Sequence, residues 1–409
     1  MTRMSSEQTH VIVGAGMAGA KAAETLRAEG FDGRIVLIGA EQERPYDRPP
    51  LSKGYLLGDQ DRDSVFLHSL GWYGDNHVEL LTGRRVSRLD REGHAVELAG
   101  GESIGYTKLL LATGSSPRRL RVEGNDLTGV HYLRRFEQSD DLREAFANGG
   151  RVVVVGAGWI GLETAAAARK AGCTVTVVEP AETPLHAALG PEMGAVFADV
   201  HRRQGVELRL GVGVTGFVGA GKVSGVATDA GEIPADVIVV GVGARPNSEL
   251  AEDSGLTVEN GGVVVDSALR TSDIDVFAAG DIASVPSSRY GQRIRVEHWQ
   301  NAVDSGPAAA KAMLGQDVVY DQLPYFFTDQ YDLGMEFAGW FAPGGYDRVV
   351  TRGDVEGQAF YAFWLAGDQV VAGMHVNQWD DGIGPVQELI RSRRAVDADR
   401  LADTATPIA

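Results

Sequence analysis

A single cysteine, Cys173, serves the whole chain of 409 residues. One thiol forms no intramolecular disulfide, no CxxC redox pair and no four-cysteine metal site. Any iron–sulfur cluster in this protein's chemistry therefore belongs to another protein. Positive charge is also short: 38 Lys and Arg against 56 Asp and Glu leave a formal net charge of −18. A nucleic-acid partner would need a basic face to release counterions from phosphates, so that class is excluded. No apolar run approaches the ~18 residues of a membrane span, and no membrane partner is expected. Residues 1–10 are polar and hold no apolar signal core, which points to a cytoplasmic protein. Hydrophobic residues at 44% and charged ones at 23% are ordinary for a globular chain and exclude general disorder. At roughly 100–200 residues per domain, the length allows two to four domains.

Glycine is what the chain has in excess: 53 residues, about twice the usual ~7% share, gathered in short motifs. An apolar strand, His10-Val11-Ile12-Val13, runs into Gly14-Ala15-Gly16-Met17-Ala18-Gly19. An Ala-rich helical stretch and a second strand, Arg34 to Ile38, follow. Gly14 permits the tight strand-to-helix turn, Gly16 lets the backbone approach a pyrophosphate, and Gly19 lets helix and strand pack closely. The helix N-terminus offers N–H groups and partial positive charge to phosphates. Glu41, 22 residues after Gly19, is placed to accept ribose hydroxyls.

The pattern recurs. Arg151 to Val155 lead into Gly156-Ala157-Gly158-Trp159-Ile160-Gly161, a helix follows, and a second strand ends at Glu179. Two such units in one chain imply two dinucleotides that exchange something. A carboxylate at the end of the second strand bonds both ribose hydroxyls and repels a 2′-phosphate, so Glu179 assigns NADH to the second unit and leaves FAD for the first. The runs Lys108-Leu109-Leu110-Leu111-Ala112-Thr113-Gly114 and Asp236 to Gly243 mirror each other as buried strands that close each unit.

Two further segments carry a family resemblance. Thr271 to Asp281, ending Ala278-Ala279-Gly280-Asp281, is similar to the second FAD motif of flavoproteins of the glutathione-reductase fold. Glu43-Arg44-Pro45-Tyr46-Asp47-Arg48-Pro49-Pro50-Leu51-Ser52-Lys53 resembles the oxygenase-coupled ferredoxin reductases, the group of putidaredoxin reductase and of the biphenyl and toluene dioxygenase reductases. The likeness runs through Val296-Glu297-His298-Trp299 and Phe327 to Asp332. It implies an α/β fold with two Rossmann-like dinucleotide-binding domains, glutathione-reductase-like, plus a C-terminal α+β interface domain. The expected segments are an FAD-binding domain over 1–117 and 246–323, an NAD-binding domain over 118–245 and the interface domain over 324–409. Short strands near 333–339, 348–352, 358–365 and 370–376 and a helix at 383–391 are expected in the last, and residues 404–409 are expected to fray.

The resemblance also assigns roles. Asp281 and Arg48 belong with FAD, as do Thr113 and Gly114, and Trp299 sits at the pyrimidine end of the flavin. Lys53 lies beside the flavin N5 edge, where a cation stabilises the anionic reduced ring. Glu163, expected in the first turn of its helix, approaches Lys53 and the nicotinamide pocket; a plain favourable charge at a helix N-terminus is the other reading. Ile160 and Gly243 join Gly156, Gly158, Gly161 and Glu179 around NAD. Phe327 stands where relatives often carry tryptophan, keeping a flat apolar wall without the indole N–H. No cysteine occurs in 44–53, which excludes disulfide or persulfide chemistry, and Cys173 reads as a small packed residue.

The implied activity is NADH:ferredoxin oxidoreduction. A hydride passes from NADH to FAD, and electrons leave one at a time to a two-iron ferredoxin that feeds a cytochrome P450 or Rieske oxygenase. Such ferredoxins are acidic, as is this chain, so a local basic patch is needed; Arg289, Arg293 and Arg295 and Arg391, Arg393 and Arg394 are the candidates. A monomer or weak homodimer is expected. A rubredoxin or other carrier reductase, a monodehydroascorbate-type reductase and a redox-sensing NADH-binding flavoprotein remain alternatives.

Overall fold

The computed structural model describes residues 8–408. The expectation placed on residues 1–10 falls, as far as Glu7, outside that range, as does Ala409 of the tail. The described residues form two compact units. One gathers residues 8–47, 62–116 and 245–324, the other residues 48–61, 117–244 and 325–408.

The first unit is built on a five-stranded parallel sheet in the order Val276–Ala278, Lys108–Leu111, Thr9–Val13, Arg34–Ile38 and Val78–Leu81. Its central strands are continuous apolar runs because both faces are covered. The helix Met17–Ala28 crosses one face and buries Ala18, Ala22, Ala23 and Leu26. Against it lies the helix Trp299–Met313, so close that a Cβ at Gly306 would stand 2.3 Å from the Ala18 carbonyl oxygen. A meander over Val86–Asp90, Ala95–Leu98 and Ser103–Gly105 and a four-stranded sheet of Val258–Glu259, Gly262–Val264, Ala283–Ser287 and Gln292–Ile294 complete this part.

The second unit repeats the scheme with the order Glu207–Leu210, Thr174–Glu179, Arg151–Val155, Val237–Val240 and Val130–His131. It adds a five-stranded antiparallel sheet: Tyr325–Gln330, Leu333–Gly339, Gln369–Val376, Ala359–Ala366 and Arg348–Asp354. Four of these strands match expected ones; Tyr325–Gln330 was not expected. The helices Gly384–Ser392 and Ala398–Ala402 follow, giving the α+β character foreseen for this part. A long helix, His186–Arg203, breaks at Gly190, which has φ 78° and is followed by Pro191. The Trp364 indole N–H donates to the Leu189 carbonyl there at 3.0 Å. A Cβ on Gly190 would meet the Tyr346 hydroxyl at 1.9 Å.

The compact units depart from the expected segment borders in two places. Residues 48–61 group with 117–244, tied there by Ser139 Oγ donating to the Leu51 carbonyl (2.8 Å) and Tyr55 donating to Asp140 (2.6 Å). Residues 325–408 share the same unit. The tail is also better held than expected: the Arg352 guanidinium donates to the carbonyls of Asp403, Thr404 and Thr406, the last at 2.6 Å. A planar group with five donors gathers carbonyls that turn residues leave unpaired.

Candidate functional site

Both glycine fingerprints fold alike. Gly14 has φ 116° and Gly156 φ 98°, backbone that glycine adopts freely. A Cβ would stand 2.0 Å from the Ala112 carbonyl oxygen in the first and 2.5 Å from that of Gly241 in the second. Gly19 and Gly161 press on the preceding turn, with a Cβ at 1.9 and 2.0 Å from the Gly14 and Gly156 carbonyl oxygens. Gly16 and Gly158 differ from these: a Cβ on Gly16 meets nothing within 4 Å, and one on Gly158 only a carbonyl oxygen at 3.9 Å. Both begin a helix that has no side-chain cap and no acid in its first turn. Each is thus an open backbone cradle with helix N–H groups behind it, which fits the pyrophosphate of a dinucleotide.

The acids that accompany the cradles are held differently. The Gly14 N–H bonds the Ile38 carbonyl and the Gly156 N–H that of Val178, both at 2.8 Å, so Gly39 and Glu179 occupy equivalent places. Glu179 ends its strand, and its two oxygens accept the N–H groups of Ala157 (2.7 Å) and Ala181 (3.0 Å). At Gly39 a Cβ would lie 2.8 Å from the Ala15 Cβ, so an acid has no room there. Glu41 comes two residues later, in a bend, and accepts the Tyr46 hydroxyl at 2.5 Å.

Around the first cradle, Thr113 and Gly114 are fastened to Asn247: Thr113 Oγ1 donates to its carbonyl at 2.6 Å, and the Asn247 N–H donates to Gly114 at 2.8 Å. Asp281 lies in a 3-10 turn whose Gly280, at φ 72°, is bonded to Ser305 Oγ. Trp299 opens its helix, half-buried, and its indole N–H donates to Asp47 at 2.6 Å. Burial pushes the Asp47 carboxyl up, against the opposing Trp299 hydrogen bond. In the second unit Ile160 is 43% exposed at the head of its helix. The Gly243 carbonyl accepts the Arg118 N–H, and Arg48 donates to the Arg134 carbonyl at 2.5 Å.

Lys53 and Glu163 are brought together from 110 residues apart. Lys53 Nζ lies 2.7 Å from Glu163 Oε1, with the lysine 17% and the glutamate 3% exposed. Glu163 also accepts Ser52 Oγ at 2.5 Å and Thr328 Oγ1 at 2.7 Å. The Phe327 ring centroid is 5.5 Å from Lys53 Nζ. Since the helix runs over Trp159–Lys170, Glu163 stands in its second turn, one turn later than expected. Its charge is met by three side-chain donors, and the simple helix-terminus reading does not apply. Ser52 and Thr328 lie in segments that carry the resemblance, but the sequence assigns neither of them a role.

Two of the expected basic residues turn inward. Arg293 donates to the carbonyls of Val265 and Ser284, both at 2.7 Å, and Arg295 bonds the Asp281 carbonyl and Glu297. Short strands leave carbonyls that a guanidinium satisfies. Arg391, Arg393 and Arg394 are exposed. Cys173 is buried, burial pushes its thiol up, and Sγ contacts the Phe146 carbonyl. Among the described residues no cluster of metal-ligating side chains occurs and no helix is long and apolar enough to cross a membrane.

Residues 8–306 match the family described as pyridine nucleotide-disulphide oxidoreductase, and residues 325–409 match the family described as reductase C-terminal. Rhodocoxin reductase of Rhodococcus erythropolis is 41% identical over 96% of this chain and 92% of its own. The ferredoxin–NAD(+) reductase component of the anthranilate 1,2-dioxygenase system of Burkholderia cepacia is 41% identical over 97% and 98%. The covalent complex of putidaredoxin reductase with putidaredoxin holds a chain that superposes with a TM-score of 0.94 at 35% identity, covering 99% of this chain and 98% of that one. With two dinucleotide cradles and a reductase-type C-terminal sheet in one polypeptide, the chain belongs to the pyridine nucleotide-disulphide oxidoreductases, in the FAD- and NAD(H)-binding branch of the oxygenase-system ferredoxin reductases.

Proposed function

We propose that the protein takes a hydride from NADH and delivers electrons singly to a two-iron ferredoxin serving a cytochrome P450 or Rieske oxygenase. The carrying observation is the pair of equivalent open cradles at Gly16 and Gly158. Gly14, Gly16, Gly19, Glu41, Thr113, Gly114, Asp281 and Trp299, with Arg48 and Lys53, are assigned to FAD. Gly156, Gly158, Ile160, Gly161, Glu179 and Gly243 are assigned to NAD. Bound FAD supplies the conversion between a two-electron donor and a one-electron acceptor. The chain supplies binding, orientation and charge: Lys53 offers a cation held in place by Glu163, and Glu179 offers a carboxylate that disfavours a 2′-phosphate. FAD is bound by residues 1–117 and 246–323 and NAD by residues 118–245, and residues 324–409 form the interface part.

The finer points are proposals of the same kind. The ferredoxin is acidic and meets Arg391, Arg393 and Arg394, and the protein is a cytoplasmic monomer or weak homodimer. Anaerobic stopped-flow reduction with NADH and NADPH in parallel, followed by a two-iron ferredoxin, tests the whole. Fast bleaching by NADH, a weak response to NADPH and rapid reoxidation by ferredoxin are expected. A reduced protein that ignores several ferredoxins would defeat the assignment.

A further inference from the structure

The Lys53–Glu163 pair is the inner end of a longer run of hydrogen bonds, all within the second unit. From Thr328 it continues to Gln330, whose Nε2 lies 3.2 Å from Thr328 Oγ1. Gln330 Oε1 is 2.8 Å from His201 Nε2, and His201 Nδ1 is 3.3 Å from the Tyr331 hydroxyl. Thr328, Gln330 and His201 are completely buried. Buried polar groups are costly unless each is paired, and here the pairing converges on Glu163 Oε1, the oxygen that also receives Lys53.

Donor and acceptor chemistry fixes the direction of the run. A carboxylate only accepts, so the Thr328 hydroxyl hydrogen goes to Glu163. Thr328 Oγ1 is then left to accept, which turns the Gln330 amide nitrogen toward it and the amide oxygen toward His201. That oxygen only accepts, so His201 carries its hydrogen on Nε2, and Nδ1 accepts from Tyr331. Burial lowers the His201 pKa to about 4, against the opposing Gln330 bond, so the ring is neutral with a single N–H. One carboxylate thus dictates the tautomer of an imidazole three hydrogen bonds away.

We propose that Thr328, Gln330 and His201 are positioning residues that hold Glu163 Oε1 against Lys53 Nζ and so keep the lysine cation in one orientation for hydride transfer. This rests on the reading of Lys53 and Glu163 as the pair that faces flavin and nicotinamide. Without the Thr328 hydroxyl, Ser52 still holds Oε2 but Oε1 keeps only the lysine, so the oxygen that faces Lys53 loses its second fixed donor.

The test uses the full-length, FAD-loaded protein and rapid anaerobic reduction over a range of NADH concentrations. Thr328→Val is expected to lower the limiting reduction rate about ten-fold, the effect of one charge-assisted hydrogen bond, and Gln330→Leu, which removes only a neutral bond to Thr328, to lower it a few-fold. NADH affinity from the same data is expected to stay unchanged, and Thr328→Ser is expected to restore the rate. Imidazole nitrogen-15 NMR of the wild-type protein, with His201→Gln identifying the resonance, is expected to show a neutral ring protonated on Nε2. Full-speed Thr328→Val and Gln330→Leu variants beside a slow Glu163→Gln would overturn the positioning role while leaving the pair's role intact. A Glu163→Gln variant at wild-type rate would instead remove the reading on which the proposal rests. A His201 ring protonated on Nδ1 would overturn the direction of the run.

Discussion

The two cradles share their glycines and differ in how the accompanying acid is delivered. In the second unit Glu179 is the last residue of a strand, fixed by two backbone N–H groups. In the first, Ala15 fills the corresponding space, Gly39 replaces the acid, and Glu41 arrives from a bend under the hand of Tyr46. The difference suits the two assigned ligands. A resident dinucleotide is held by many contacts, so its acid can come from a loop. A dinucleotide that must be chosen and released at each turnover is better met by a carboxylate already locked in place, because less order has to be imposed on binding.

The largest effects are expected where the cradles themselves are filled. Gly16→Val and Gly158→Val both place side chains in open space at ordinary negative φ, so each protein is expected to fold. Gly16→Val is expected to purify colourless, by absorbance at 450 nm. Gly158→Val is expected to stay yellow while its reduction by NADH slows by about 100-fold or more, read by stopped flow. Equal loss of flavin from both would break the assignment of one dinucleotide to each unit.

Next comes acid stability, since each unit holds a histidine that burial keeps neutral, His10 in the first and His201 in the second. Burial lowers the pKa of His10 to about 4, with the Lys108 and Arg27 charges adding, and His201 is lowered equally. The folded pKa lies below the unfolded one, so the contribution is complete above about pH 6.5 and is lost as pH falls toward 4. For His10, which stacks on Phe31 at 4.0 Å, the loss at pH 4 is roughly 3 kcal/mol. His10→Phe is expected to remove it and to flatten the fall of Tm between pH 6.5 and 4; an unchanged slope would deny that the first unit carries this sensitivity.

Smaller effects sharpen the contrast between the acids. Glu179→Ala is expected to raise the KM for NADH about ten-fold and to narrow the gap to NADPH, as loss of a charge-assisted pair does. Tyr46→Phe, its counterpart in the first unit, is expected to weaken FAD retention only a few-fold. Smallest is the carrier effect: charge reversal at Arg393 and Arg394 is expected to raise the KM for ferredoxin a few-fold at low salt without changing NADH–ferricyanide turnover. Equal loss of both activities would place those arginines elsewhere in the reaction.

Local patterns were readable in the sequence and long-range ones were not. The fingerprints, their strands and most of the C-terminal strands announce themselves through glycine spacing and short apolar runs. Strand Tyr325–Gln330 stayed hidden because its buried positions include Thr328 and Gln330, the reverse of an apolar face. Glu163 was found through resemblance, but its partners Ser52 and Thr328 lie 111 and 165 residues away, beyond any spacing rule. Arg293 and Arg295 look like surface charge, yet the carbonyls they satisfy exist only once the chain has folded.

The break at Gly190 has a consequence for engineering carrier preference. An obvious route is a chimera in which residues 325–409 are exchanged for those of a relative. Leu189 lends its carbonyl to the indole of Trp364, and Gly190 leaves room for the hydroxyl of Tyr346. A donor sheet with other residues at 346 and 364 would orphan the first and jam or empty the second. The transplant therefore has to carry Leu189, Gly190 and Pro191 with it as a matched graft.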